Sequence, residues 1–322
     1  MKLRPALCWA LLFVALPAIG QPPSPTPPAA SAEVAVPADT PIGSGPYKAV
    51  MEVDPTLPTH TLYHSADAVP GKMPIVVWGN GACVNAGNSF RWFLSDIASY
   101  GYLVIAIGPI TEVRRMPPAP MAPVSVNPAT AADVRKLPPA ATHSSQLTDG
   151  INWAIAQNER KDSRFYHRLD PGAIAVMGMS CGGAQAIEAS SDSRVRTTVV
   201  WNSGLFPEPT AMGGGKVLTR DDLKRLHGPT AYISGDDEDI AYANANADFE
   251  AIQNVPVLRA YARGILHGGT YAERNGGEFA GIAVAWLNWQ LKGDRRAALM
   301  FVGANCGLCV NPHWVVRSKN LH

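Results

Sequence analysis

Gly178-Met179-Ser180-Cys181-Gly182 is the stretch of this sequence best equipped for chemistry. A serine hydroxyl is a weak nucleophile until the backbone presents it to a general base. The spacing G-x-S-x-G does this by setting the serine on a sharp strand-to-helix turn. Glycine is needed two residues to either side, because a side chain there would collide with the neighbouring strand and helix. The flanks agree with such a turn. Asp170-Pro171-Gly172 is a turn signal, and Ala173 to Met177 is the unbroken apolar run of a strand covered on both faces. Gly182 to Ala189 is a run of mainly small residues suited to a helix packed closely on a sheet. The bland alternative is a glycine-rich turn in some other α/β domain.

An activated serine needs a base within hydrogen-bond reach, and the base needs an orienting acid. His267 lies in Gly264-Ile265-Leu266-His267-Gly268-Gly269-Thr270, just past the last strand of the core pattern, where glycines let a loop carry the imidazole to the serine. His60 and His64 precede the core strands, His143 and His167 fall at loop or helix edges, and His227 precedes a strand. The acid is expected after the preceding strand, where Asp236-Asp237-Glu238-Asp239 offers four carboxylates. Asp239 is favoured because it abuts Ile240-Ala241, where the chain re-enters packed structure; Glu238 and Asp237 remain alternatives. The tetrahedral intermediate of acyl transfer also needs two backbone N–H donors. Cys181, opening the helix after the serine, is expected to supply one, with the helix dipole favouring negative charge there. Asn80, between Gly79 and Gly81 after the first core strand, is expected to supply the other. Trp201, at the end of its strand, and Met179, beside the serine, are expected to line a substrate pocket.

The elements that must position these residues alternate from about residue 48 to 300. Strands are predicted at 73–78, 102–107, 173–177, 197–201, 230–234 and 257–261. Helices are predicted at 90–100, 144–158, after Ser180, and at 280–291. Such alternation implies an α/β protein with a single doubly wound, mostly parallel sheet flanked by helices. There is no internal repeat and no sign of a second domain. Residues 111–142 are rich in Pro, Ala and Met and follow a strand whose carboxyl end should border the site. They read as a lid or cleft wall, or as a loose insertion.

With 322 residues, 47% of them hydrophobic, the chain has ample apolar material for the core of one large domain. Its net charge of +1 and the lack of any Lys/Arg run beyond two exclude a nucleic-acid footprint. Residues 1–20 have a basic start, an apolar stretch too short to span a bilayer and a small-residue end, the form of a removable signal peptide. Residues 21–42 form a Pro/Ala-rich tether, leaving 43–322 as the catalytic domain. Export to the periplasm or beyond is therefore expected, without a stable membrane anchor. In an oxidising compartment Cys83, Cys181, Cys306 and Cys309 suggest two disulfides, among three possible pairings. Cys306-Gly307-Leu308-Cys309 reads as a short structural loop rather than a redox motif; a zinc site with His313 would lack a fourth ligand.

On these residues the chain resembles an α/β-hydrolase. More narrowly it is similar to exported cutinase-like polyester hydrolases and their dienelactone-hydrolase and chlorophyllase-like relatives. The likeness covers roughly residues 45 to 300. It rests on Gly45-Pro46-Tyr47, Gly79-Asn80, Ala98 to Val104, Gly178 to Gly183, Asp239-Ile240-Ala241 and His267. It also rests on the order serine, acid, histidine. The sequence departs from the cutinase-like pattern at Asn80, at Cys181 and in the 111–142 segment. The resemblance implies hydrolysis of a carboxylic ester, small or polymeric, through an acyl-enzyme and without cofactor or metal. Both loops expected to donate N–H groups hold a cysteine, so a Cys83–Cys181 disulfide is predicted, with Cys306–Cys309 as the second. A serine peptidase or amidase on the same triad, and a non-catalytic binding protein on the same scaffold, are the competing readings.

Overall fold

The apolar runs of the sequence are strands whose side chains alternate between two covered faces. In β3 (Met73–Gly79), Val76 and Trp78 join one core layer while Ile75 and Val77 join the other. Both layers are built of buried apolar side chains, and each fully buried Val, Ile or Leu contributes roughly 1.5–3 kcal/mol of burial free energy. The first layer is closed by helix α1 (Arg91–Ser99), through Phe93, Leu94 and Ile97, and by α5 (Gly277–Lys292), through Phe279, Ala283 and Leu287. The second is closed by α2 (Ser145–Glu159) and, further along the sheet, by α3 (Cys181–Ala189) and α4 (Tyr242–Ala251). Helices therefore cover both sides, as predicted. The computed structural model describes residues 41–112 and 139–322. The expected signal peptide, almost all of the tether and most of the 111–142 segment lie outside the described residues.

Among the described residues nine strands form one sheet in the order β1-β2-β4-β3-β5-β6-β7-β8-β9. Besides β3 they are β1 (Ala49–Glu52), β2 (His60–Ser65), β4 (Leu103–Ile107), β5 (Leu169–Met179), β6 (Val195–Trp201), β7 (Thr230–Gly235), β8 (Val257–Ala262) and β9 (Trp314–Lys319). The six strands from β4 across to β8 run parallel; β1, β2 and β9 pair antiparallel at the margins. A mostly parallel sheet is thus observed. Its margins were not predicted. β2 carries His60 and His64, so these histidines belong to the sheet rather than preceding it. β9 lies beyond the point where the alternating pattern ended. Parallel pairing with helical crossovers brings the carboxyl ends of β3, β5, β6, β7 and β8 to one edge, where ligands of such sheets bind. Among the described residues no helix is long and apolar enough to cross a membrane.

Candidate active site

The turn after β5 is built around close approaches that only glycine permits. A Cβ on Gly178 would overlap the carbonyl of Gly182, and a Cβ on Gly182 would overlap the carbonyl of Gly79. The predicted collisions are therefore real: β5, α3 and the end of β3 meet backbone to backbone. Ser180 sits between them at φ 53°, ψ −119°, a conformation that costs a non-glycine residue of order 1–3 kcal/mol. The surroundings hold it there. Its N–H donates to Trp201 O at 2.9 Å, and its carbonyl accepts from Ser203 Oγ at 2.7 Å.

Asp239 and His267 converge on Ser180 from the connections that follow β7 and β8. Ser180 Oγ lies 3.0 Å from His267 Nε2, and His267 Nδ1 lies 2.7 Å from Asp239 Oδ1. Facing a carboxylate, Nδ1 carries the ring proton, which leaves Nε2 to accept from the serine hydroxyl. The loop after β8 can reach this position because Gly235 ends β7 without a side chain; a Cβ there would overlap the carbonyl of Ile265. Asp236 braces the same approach by accepting the Gly264 N–H at 2.8 Å. Of the four carboxylates in this turn, Asp239 is the buried one, while Asp237 and Glu238 are exposed. Four of the other histidines bond elsewhere: His60 to Gln146 O, His64 to Glu52, His143 to Gly214 O and His227 to Val195 O.

Asp239 is 2% exposed, and burial alone would favour its neutral form. Hydrogen bonds from His267, the Ala241 N–H and Asn202 outweigh that cost and hold the carboxyl below its ordinary value. Oδ1 accepts from His267 and from Ala241 N at 2.9 Å; Oδ2 accepts from Asn202 Nδ2 at 2.8 Å and Gly235 N at 3.1 Å. A hydroxyl held against an imidazole, itself oriented by a buried anion, can lose its proton as it attacks an electrophile.

The expected N–H donors lie on the two segments that meet at this turn. Gly182 lies so close to the end of β3 that its Cβ would stand 2.7 Å from Asn80 N. Cys181 opens α3, where helix N–H groups lack intrahelical partners. Neither the Asn80 N–H nor the Cys181 N–H has a backbone acceptor among the described residues. The Asn80 side chain is spent on its own loop and on the ends of β3 and β4. Oδ1 accepts from Trp78 Nε1, and Nδ2 donates to the carbonyls of Val84, Ala86 and Ile107, which fixes the course of residues 80–86. Cys83 and Cys181 are joined, as are Cys306 and Cys309. The first bond ties the Asn80 loop to the start of α3. The second closes a short loop just before β9.

Two pocket expectations change. Trp201 is fully buried among Phe93, Tyr271 and Phe279, so it supports the site from beneath and lines no cleft. A large aromatic at a strand's end fits a pocket wall or a core equally well by sequence; here the sheet face it points to is covered by α1 and α5. Met179 is also nearly buried, with its sulfur against Gly81, where it backs the Asn80 loop. Asn202 and Tyr271 were not singled out by sequence, yet both take part in the hydrogen bonds around Asp239. No family model matches the chain, and no curated protein matches it in sequence.

Proposed function

We propose that the chain is an exported serine hydrolase of the α/β-hydrolase kind, cleaving carboxylic esters through an acyl-enzyme. The observation that carries this reading is the unbroken contact Ser180 Oγ, His267 Nε2, His267 Nδ1, Asp239 Oδ1, at 3.0 and 2.7 Å, around a serine at φ 53°. The steps follow from those atoms. Ser180 Oγ attacks the ester carbonyl carbon while its proton passes to His267 Nε2. The carbonyl π pair moves onto oxygen, and the N–H groups of Cys181 and Asn80 receive that oxyanion. The pair then re-forms the carbonyl, the C–O bond to the alcohol breaks, and His267 gives its proton to the departing alkoxide. Water repeats the sequence on the acyl-enzyme, passing one proton to His267, which returns it to Ser180 as the acid leaves. Asp239 stays ionised throughout and steadies the imidazolium. Export is supported by the two joined cysteine pairs together with the leader-like first twenty residues.

A fluorophosphonate probe tests the reading directly. It should label the wild type at Ser180 and fail on Ser180→Ala, whose turnover of p-nitrophenyl butyrate should fall by about 10⁴-fold or more. An unlabelled, inactive wild type would overturn the proposal. Hydrolysis of p-nitrophenyl esters but not of the matching anilides would fix the ester preference.

A further inference from the structure

Asp239 has four hydrogen-bond donors, and three come from its own turn or from His267. The fourth, Asn202, comes from the end of β6. It is fully buried, at φ 39°, with its N–H donating to Ile233 O at 2.7 Å. An amide in this place has two orientations, and only one is useful. With Nδ2 toward Asp239 it donates to the carboxylate; turned over, it would set its oxygen against Oδ2. The Asp239 carboxylate, which can only accept, sets the choice, and Tyr271 reinforces it. Its hydroxyl donates to Asn202 Oδ1, so the amide nitrogen is left facing Asp239. Tyr271 is itself immobilised among Trp78, Phe90, Phe93 and Phe279. Burial, reinforced by the nearby charge of Asp239, keeps its hydroxyl protonated far above the usual tyrosine range. The donor is therefore present at every pH at which the protein would work.

The contacts close a ring. His267 and Tyr271 lie on one loop; His267 bonds Asp239, Asp239 is held by Asn202, and Asn202 is held by Tyr271. We infer that Asn202 and Tyr271 are positioning residues for the proposed hydrolase: they lock the orientation and charge of Asp239, and through it the basicity of His267. This inference rests on the serine-hydrolase reading. Its chemistry is directional. A donor on Oδ2 draws negative charge away from Oδ1. Without it, Oδ1 is the stronger base and the imidazolium formed during turnover is better stabilised.

Tyr271→Phe is the cleanest test, because it deletes the hydroxyl and keeps the ring. Asn202→Ala removes the amide altogether. The rate of fluorophosphonate labelling and kcat/KM for p-nitrophenyl butyrate would be followed from about pH 5 to about pH 9, alongside thermal melting. Loss of one neutral hydrogen bond predicts a fall in kcat of about 2- to 10-fold for Tyr271→Phe. Loss of a bond to a charged group predicts about 10- to 100-fold for Asn202→Ala, with KM little changed in both. The acid limb of each profile should move to higher pH. A merely structural role would lower the melting temperature and the active fraction but leave the limb where it is. If the wild type is labelled and active while Tyr271→Phe keeps the wild-type limb, this inference fails and the hydrolase reading stands. If Ser180 in the wild type takes no label, the hydrolase reading has failed first.

Discussion

Asp239 and Asp248 are both buried carboxyls beside α4, yet they end up in opposite states. Asp239, ahead of the helix, is held below its ordinary value; Asp248, within it, is pushed up to about 7 by burial. Asp248 does not lack partners. The Leu205 N–H donates to Oδ2 at 2.7 Å, Arg220 Nε contacts Oδ1 at 3.1 Å, and the Tyr232 hydroxyl lies 3.3 Å from Oδ2. The difference is where the donors come from. Two of those on Asp239 are N–H groups of its own turn, Gly235 and Ala241, and a third is the His267 ring at the edge of solvent. Asp248 has one backbone N–H, from a segment that approaches from outside the helix. Depth alone drives a carboxyl toward protonation. A carboxylate that must stay charged needs a turn shaped to aim N–H groups at it, and residues 235–241 form such a turn.

The largest effect should come from breaking Asp239. Asp239→Asn keeps the shape but cannot accept the Nδ1 proton as a carboxylate does, so His267 loses its required tautomer. Loss of about 10⁴-fold in kcat is expected, as for other triads stripped of their acid. Asp248→Asn should retain most of its turnover, because its network touches Leu205, Arg220 and Tyr232 and none of the reacting groups. Steady-state kinetics on the two variants side by side would decide. Comparable losses from both would erase the distinction between them.

The next effect concerns what holds the two regions in place. The Cys83–Cys181 bond spans 98 residues and pins the Asn80 loop to α3; Cys306–Cys309 spans three. On a chain-entropy basis the first constrains the unfolded chain by about 4–5 kcal/mol and the second by about 2 kcal/mol. Denaturant unfolding of Cys83→Ala/Cys181→Ala should show the greater loss. It should also lower kcat, since the loops offering the Asn80 and Cys181 N–H groups come untied. Cys306→Ala/Cys309→Ala should leave kcat alone. Equal kinetics for the two pairs would mean that the backbone contacts of Gly79, Gly178 and Gly182 suffice to hold those loops.

The comparison also explains what could be read from the residue order. β3 to β8 were legible because strands covered on both faces are continuous apolar runs, as in Ile75-Val76-Val77-Trp78. β2 was not, since His60, Thr61 and His64 interrupt the run; yet His60 and Thr61 are buried with partners in Gln146 O and Gly108 O. α4 (YANANADFEA) has no clear apolar stripe, and β9 is a half-exposed margin. Ser180 and His267 were legible through glycines and chain order. Asp239 could not be told from Glu238 by neighbours in sequence, because the choice is made by the Ala241 and Gly235 N–H groups in space. Asn202 and Tyr271 left no mark, since their bond joins residues 69 apart.

The smallest effect is a pH slope, and its sign separates the two carboxyls. Folded Asp248 keeps its proton up to about pH 7, whereas the unfolded chain releases it near the ordinary 3.8. Between those values the folded state binds more protons, so this group's contribution to stability falls as pH rises. Asp239 works the other way: its contribution is present above the ordinary value and is lost as pH drops through the lowered one. His60 and His64, both lowered by burial, add stability as pH rises toward neutrality, so the wild-type slope alone is a mixture. Subtracting the Asp248→Asn curve isolates the one carboxyl. Measured by urea unfolding, the wild-type advantage over Asp248→Asn should be greater at about pH 5 than at about pH 8. A difference that stays flat, or grows with pH, would mean that Asp248 is ionised in the fold. Arg220 and the Leu205 N–H would then do for Asp248 what the 235–241 turn does for Asp239.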